Sequence, residues 1–288
     1  MRRLIVTGDD FGNSREVNLA IVEAHDRGIL TNASLMVSGD AASEAIALAR
    51  SRPGLSVGLH LVVADGRAAL PASQIRRLVD GAGRFRAGLI RQGLRYQFSR
   101  GARSELAREV RAQLERFEET GLALSHVDGH HHMHLHPTVL QILLSLADRF
   151  RIPAIRLPHE ELSLAVLLDR RGVPSKVLSS LIFRLLRVRG QRRLAAAGIP
   201  VSDRVYGLLA TGRITEDYLL GLIPRIRSND VELYCHPAAA LPGERFHGPP
   251  ASGPEEFAAL LSERVKDALR RSRFVLARPA AARMRVVR

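Results

Sequence analysis

The sequence predicts an α/β fold, a single-domain (β/α) barrel on a parallel sheet. Two observations predict it. Short β-rich runs alternate with helical patterns along the whole chain, and the unusual polar residues fall at the carboxyl ends of those runs. The strand candidates are 4–8 (LIVTG), 33–38 (ASLMVS), 56–63 (SVGLHLVV), 124–129 (LSHVDG), 154–158 (AIRLP), 204–209 (RVYGLL), 231–237 (VELYCHP) and 273–277 (RFVLA). Between them, EVNLAIVEAHDRG, SELAREVRAQLERFEE, PTVLQILLSLADRF and EEFAALLSERVKDALRR repeat apolar residues at i, i+3, i+4, the period of a helix with one buried face. Gly28 and Gly121 are placed to end two of these helices, and Pro137 to open a third. Eight units give a closed barrel; seven with a gap, or a distorted barrel, fit the same pattern. There is no internal repeat and no low-complexity linker, so the 288 residues read as one domain with two basic helical insertions, at about 81–104 and 163–200.

Composition excludes several classes. The single Cys235 rules out an internal disulfide framework and any CxxC zinc site, and fits a cytoplasmic location. The first residues carry too short an apolar run for a signal peptide, and no apolar stretch approaches the roughly 20 residues that span a bilayer. The net charge of +14 suggests nucleic acid or an anionic membrane, but it is unevenly spread. Residues 81–104 hold six Arg and no acid; residues 163–200 hold seven Arg and one Lys against Asp169 alone. No nucleic-acid-binding motif accompanies this charge, so nucleic acid is not the expected partner. Both segments mix Arg with Leu, Ile, Phe and Tyr in helical order. That pattern suits peripheral contact with an anionic membrane, a homodimer interface or a plain solvated face.

The polar residues carry the chemistry. Asp9 and Asp10 follow the first strand, and His60 lies in the third. Asp128 and His130 end the fourth, Arg156 and His159 the fifth, and His236 the seventh. A barrel gathers these ends at one face, where such folds build active sites. The run HVDGHHHMHLHP, residues 126–137, holds six of the eleven histidines. As a helix it would pair His130 with His134, but HExxH is absent and Gly129 disfavours it. As strand end plus loop, alternation puts His126, Asp128 and His130 on one side, and this reading is preferred. A catalytic metal takes about three protein ligands, so most of these histidines must serve otherwise, and a fortuitous metal-sticky tract is the bland alternative. Two imidazoles and a carboxylate suit a divalent ion. Paired acids allow one to bind it while the other stays free as a base, although DD in a loop is more often a turn or cap.

In order along the chain, TGDDFG, GLHL, HVDGHHHMHLHP and CHP resemble the YdjC-like carbohydrate deacetylases, which include chitooligosaccharide deacetylase. The resemblance runs from residue 4 to about 240. It implies Asp10, His60 and His130 as ligands of one divalent ion, Zn or Mg first, with Co, Mn or Ni as alternatives. It further implies Asp9 as general base and His236 as a general acid or orienting group. Gly8 departs from the family's ADDFG opening but leaves both acids in place. HLHPTV and the Arg-rich segments are most similar to the hopanoid-biosynthesis branch, whose members act on an N-acetylglucosaminyl lipid; Asp128 stands where that branch has Asn. The expected activity is therefore metal-dependent removal of an N-acetyl group from an amino sugar or glycolipid. The alternatives are a soluble chitooligosaccharide-type deacetylase, a metal-dependent phosphoesterase and a non-catalytic carbohydrate-binding protein.

Overall fold

Period-two alternation builds the strands, and it divides them unusually. In the main strands one side is apolar and meets helices, while the other is largely polar and meets the other strands' polar side chains. The computed structural model describes residues 2–86, 88–240 and 253–279. Its strands are β1 (Arg2–Phe11), β2 (Asn32–Leu35), β3 (Ser56–Leu61), β4 (Leu124–Gly129), β5 (Arg204–Tyr206), β6 (Asp230–Cys235) and β7 (Phe274–Leu276). The helices are α1 (Arg15–Arg27), α2 (Ala42–Arg50), α3 (Leu89–Phe98), α4 (Arg100–Glu119), α5 (Pro137–Leu146), α6 (Leu162–Leu168), α7 (Val173–Ala196), α8 (Glu216–Leu222), α9 (Gly253–Leu261) and α10 (Glu263–Arg271). All strand pairings are parallel, in the order β4-β3-β2-β1-β6-β5. Strand β7 pairs with Arg2–Leu4 of β1, and β2 with Thr7–Phe11.

Seven of the eight expected strands form. The eighth, 154–158, lies between Pro153 and Pro158, neither of which can donate to a ladder. It contributes single bridges instead, Val127 to Ile155 on β4 and His159 to Val205 on β5. The segment thus spans the gap between the two edge strands of the curled sheet, giving the distorted, seven-stranded variant of the barrel. The helix signals hold. Ser14 caps α1, Gly28 follows it, and Pro137 opens α5. The run 255–271 is not one helix: the Ser262 hydroxyl accepts from Val265 N–H at 3.2 Å, ending α9 and starting α10. The two basic segments are long helical crossovers, α3 between β3 and β4, and α6 and α7 before β5. Among the described residues, no helix is long and apolar enough to cross a membrane.

Leu4, Val6, Ala33, Leu35, Val57, Leu59, Val127, Ile155, Val231 and Leu233 join the buried apolar cluster with the helices. A Cβ at Gly8 would lie 2.8 Å from Ile21 and 2.9 Å from Leu30, so α1 fills the space that a larger residue would need. Inside the sheet, Asn32 donates to Thr7 at 3.1 Å, Thr7 to Glu232 at 3.0 Å, and Ser34 to Asp128 at 2.7 Å. The His126 ring fills the centre of this polar interior, 3.0 Å from the Ser34 hydroxyl and 2.9 Å from that of Ser125.

Gly58 makes room for that ring, since a Cβ there would fall 2.1 Å from His126. Gly58→Ala must displace the ring or separate β3 from β4. It is expected to lower unfolding free energy in urea by at least about 1–3 kcal/mol. An unchanged midpoint would show that the interior has slack.

Candidate active site

Strict alternation would send Asp9 and Asp10 to opposite faces of β1. The β1–β2 register shifts between Gly8 and Phe11, and Asp10 adopts φ +64°, in the left-handed region. A bulge of this kind re-aims a side chain, here letting consecutive aspartates serve one site. The turn is secured by Asn13 N–H on the Asp10 carbonyl at 2.9 Å and Gly12 N–H on Asn18 Oδ1 at 2.7 Å.

The Asp10 carboxylate lies 3.2 Å from His60 Nε2 and 3.0 Å from His130 Nδ1. All three donor atoms fall within 4.8 Å of one another. His60 and His130 together hold the Asp10 carboxyl well below the usual carboxylate range, against its burial. Burial works against a charge on His60, but Asp128 and Asp10 prevail and its pKa rises to about 10. Ligand bonds of about 2.0–2.2 Å to one ion place neighbouring donor atoms about 3 Å apart, and the Asp10 carboxylate has that spacing to each of His60 and His130. His60 Nδ1 lies 2.7 Å from Asp128, the carboxylate–histidine arrangement that fixes a ring and leaves the outer nitrogen free.

Arg156 organises the rest. Its side chain is fully buried and donates to both oxygens of Asp9, at 2.7 and 2.9 Å, to Glu232 at 2.8 Å, and pairs with Asp128 at 2.8 Å. Burial disfavours its charge, but Asp128, Asp9 and Glu232 overcome that and raise its pKa further. The Tyr234 ring covers the guanidinium at 4.6 Å.

The histidine run is a strand end followed by a 3-10 turn, His130–Leu135, with His131 and His132 at φ +52° and +54°. Its six rings do different work. His126 packs the interior, and His130 joins Asp10. His131 reaches the exposed Asp65 at 3.2 Å. His132 meets the Tyr234 hydroxyl at 2.8 Å and packs edge-on against Phe183. His134 donates from Nε2 to the Arg156 carbonyl at 2.9 Å, and burial lowers its pKa to about 4. His136 caps α5. His236 follows Cys235, which pairs with Gly8, so it leaves β6 beside Asp9. Its N–H donates to Glu256 at 2.6 Å, its ring packs edge-on against Tyr234, and its buried Nδ1 has no hydrogen-bond partner among the described residues.

All five expected site residues thus lie at the carboxyl end of the sheet. Sequence reasoning assigned no role to Arg156 and overlooked Glu232 and Tyr234. The readable signal was a charged residue between two prolines in an otherwise apolar run. Arg156→Met would leave three buried carboxylates without their common cation and is expected to cost about 3–5 kcal/mol in urea unfolding. Arg156→Lys keeps the charge but loses the fork, and should fall between wild type and Met. A Met variant as stable as wild type would refute this role for Arg156.

A Geobacillus stearothermophilus carbohydrate deacetylase is 35% identical over 239 residues, 82% of this chain and 80% of that protein. A Brevibacillus brevis carbohydrate deacetylase is 46% identical over 157 residues, where the match spans 54% of this chain and 59% of the relative. A solved structure from Enterococcus faecalis V583, named for cellobiose-phosphate cleavage, shares the fold with a TM-score of 0.70, covering 96% of this chain and 97% of that one at 24% identity. The model of the YdjC-like proteins matches residues 3–271, and the chain belongs to that family.

Proposed function

We propose that the protein is a metal-dependent carbohydrate N-deacetylase. The observation that carries this reading is the convergence of Asp10, His60 and His130 beside Asp9, in a chain similar over most of its length to a carbohydrate deacetylase. Asp10, His60 and His130 would hold one divalent ion, with Zn or Mg the first choices. When bound, such an ion supplies Lewis-acid polarisation of the acetamide carbonyl and a more acidic water. Asp9 accepts the proton of the attacking water. Arg156 grips both its oxygens and so fixes the direction of its remaining lone pairs. His236 donates a proton to the departing amine, giving acetate and a free amino sugar.

Asp9→Asn should retain metal, measured by elemental analysis, while acetate release falls about 10²-fold or more. Asp10→Asn should lose the metal itself. Equal metal loss in both variants would overturn the division of roles.

The finer reading is a lipid-linked substrate, an N-acetylglucosaminyl hopanoid, reached from the cytoplasmic face of an anionic membrane. Two acid-free helices support it. On α7, Leu178, Leu181, Ile182, Leu185 and Val188 are exposed, with Arg189 and Arg192 also at the surface. On α3, Ile90 is 81% and Phe98 76% exposed. Such faces lie flat at a charged interface. Wild type should co-sediment with vesicles containing anionic lipid at low ionic strength. Arg189→Gln with Arg192→Gln should weaken binding by about 1 kcal/mol per charge. Absence of vesicle binding at every salt concentration would favour a soluble oligosaccharide substrate, and a concentration-dependent dimer would assign these faces to self-association.

A further inference from the structure

Beside the candidate active site lies a cavity of about 170 Å³, between α7 and the end of the 154–158 segment with the residues that follow it. Helix α7 presents Ser180, Phe183, Arg184 and Arg187 to it, a spacing of i, i+3, i+4 and i+7 that forms one helical face. His159 and Glu160 stand opposite. This face is distinct from the exposed apolar stripe of the same helix.

The charges around the cavity are unbalanced. Arg184 and Arg187 form no ion pair among the described residues. Arg187 is half-buried, and burial with repulsion from Arg204 lowers its pKa. Arg204 has its own partner, Glu161, at 2.7 Å. The acid on the wall, Glu160, is already engaged. Its oxygens accept from Leu209 N–H at 3.0 Å and the Tyr218 hydroxyl at 3.3 Å, and burial raises its pKa to about 7. Burial and the nearby Arg187 and Arg204 keep His159 below its usual range, so its ring is neutral near pH 7. The exposed Arg184 and the half-buried Arg187 therefore face a cavity whose one acid, Glu160, is partly neutralised by burial and committed to two other donors. A half-buried cation of this kind is costly until a charged acceptor meets it, and the arginine fork matches phosphate oxygens.

We propose that this cavity is a phosphate subsite, in which Arg184 and Arg187 bind the phosphate of a sugar ester or of a lipid headgroup. It adjoins the candidate active site through Phe183. That ring packs against His132, which meets Tyr234, the residue covering Arg156. Phosphate binding at this place does not depend on the deacetylase reading and is measured without any turnover.

The test is calorimetric titration of the full chain with inorganic phosphate. Wild type should bind saturably, and Arg184→Gln with Arg187→Gln should weaken binding by about tenfold or more, with an unchanged circular dichroism spectrum. Arg103→Gln with Arg111→Gln removes equal charge from exposed positions on α4 and should leave binding intact. No saturable binding by wild type, or equal loss in both double variants, would overturn the subsite. The source is then set by competition for bound phosphate. Success of N-acetylglucosamine 6-phosphate assigns a soluble ester, and success of vesicles containing phosphatidic acid assigns a lipid headgroup. Competition by neither would reduce the cavity to a site for the free ion and overturn the assignment.

Discussion

One buried guanidinium sets the terms for the rest of the molecule. Arg156 meets Asp9 from β1, Asp128 from β4 and Glu232 from β6, and it does so from the segment that fails to form a strand. Three buried carboxylates cannot share a barrel interior without a common cation, because isolated buried charge is far costlier than a paired one. The fork geometry of arginine satisfies them from one point. Beyond β4, where no regular ladder continues to β5, this ion cluster ties β4 to β1 and β6. It also explains why the interior is polar: Thr7, Asn32, Ser34 and His126 complete a hydrogen-bond network around the carboxylates.

The same cluster leaves a surplus of negative charge at the mouth. Asp9, Asp128 and Glu232 face one arginine while Asp10 meets His60 and His130, and Asp128 and Asp10 raise the His60 pKa against its burial. Asp128 links the two halves, pairing with Arg156 on one side and His60 on the other. Its charge is a structural requirement here, whatever residue relatives carry at that place. An aspartate in the left-handed region at the end of β1 is strained, and such strain is tolerated where the surroundings fix it. Here the bulge and the Asn18 contact fix it, and the return is two adjacent acids with different partners.

Much of this was legible in the sequence because it rests on local period. Seven strands and the main helices follow from alternation and from capping residues. The placement of Asp9, Asp10, His60, His130 and His236 at one face follows from parallel topology alone. What local pattern could not supply was partnership. Nothing in HVDGHHHMHLHP says that His134 would hold the Arg156 carbonyl or that His126 would sit under Gly58, because both depend on segments distant in sequence. The 154–158 run looked like a strand because its composition is that of one. Its flanking prolines decided otherwise, and the arginine between them acquires its meaning only from three carboxylates on other strands.

The division of labour between strands and crossovers follows from the polar interior. A barrel whose inner face is filled by a fixed ion network has little freedom to vary around its reacting centre, since each change there leaves a charge unpaired. The helices between strands carry no such constraint. In α7 the two duties are separated by face, one side turned to a charged cavity beside Phe183 and the other exposing leucines to the surroundings. Lys176, by contrast, is buried near its start and paired with Asp169 at 3.0 Å, which anchors the helix. The excess of arginine is thus not a single property of the chain. One part is structural, as Asp169 gathers Arg171, Lys176 and Arg213, while along α7 Arg184, Arg187, Arg189, Arg192 and Arg193 form no ion pair among the described residues. Of these, Arg184 and Arg187 line the cavity at Phe183, whose ring packs against His132 at the edge of the carboxylate cluster.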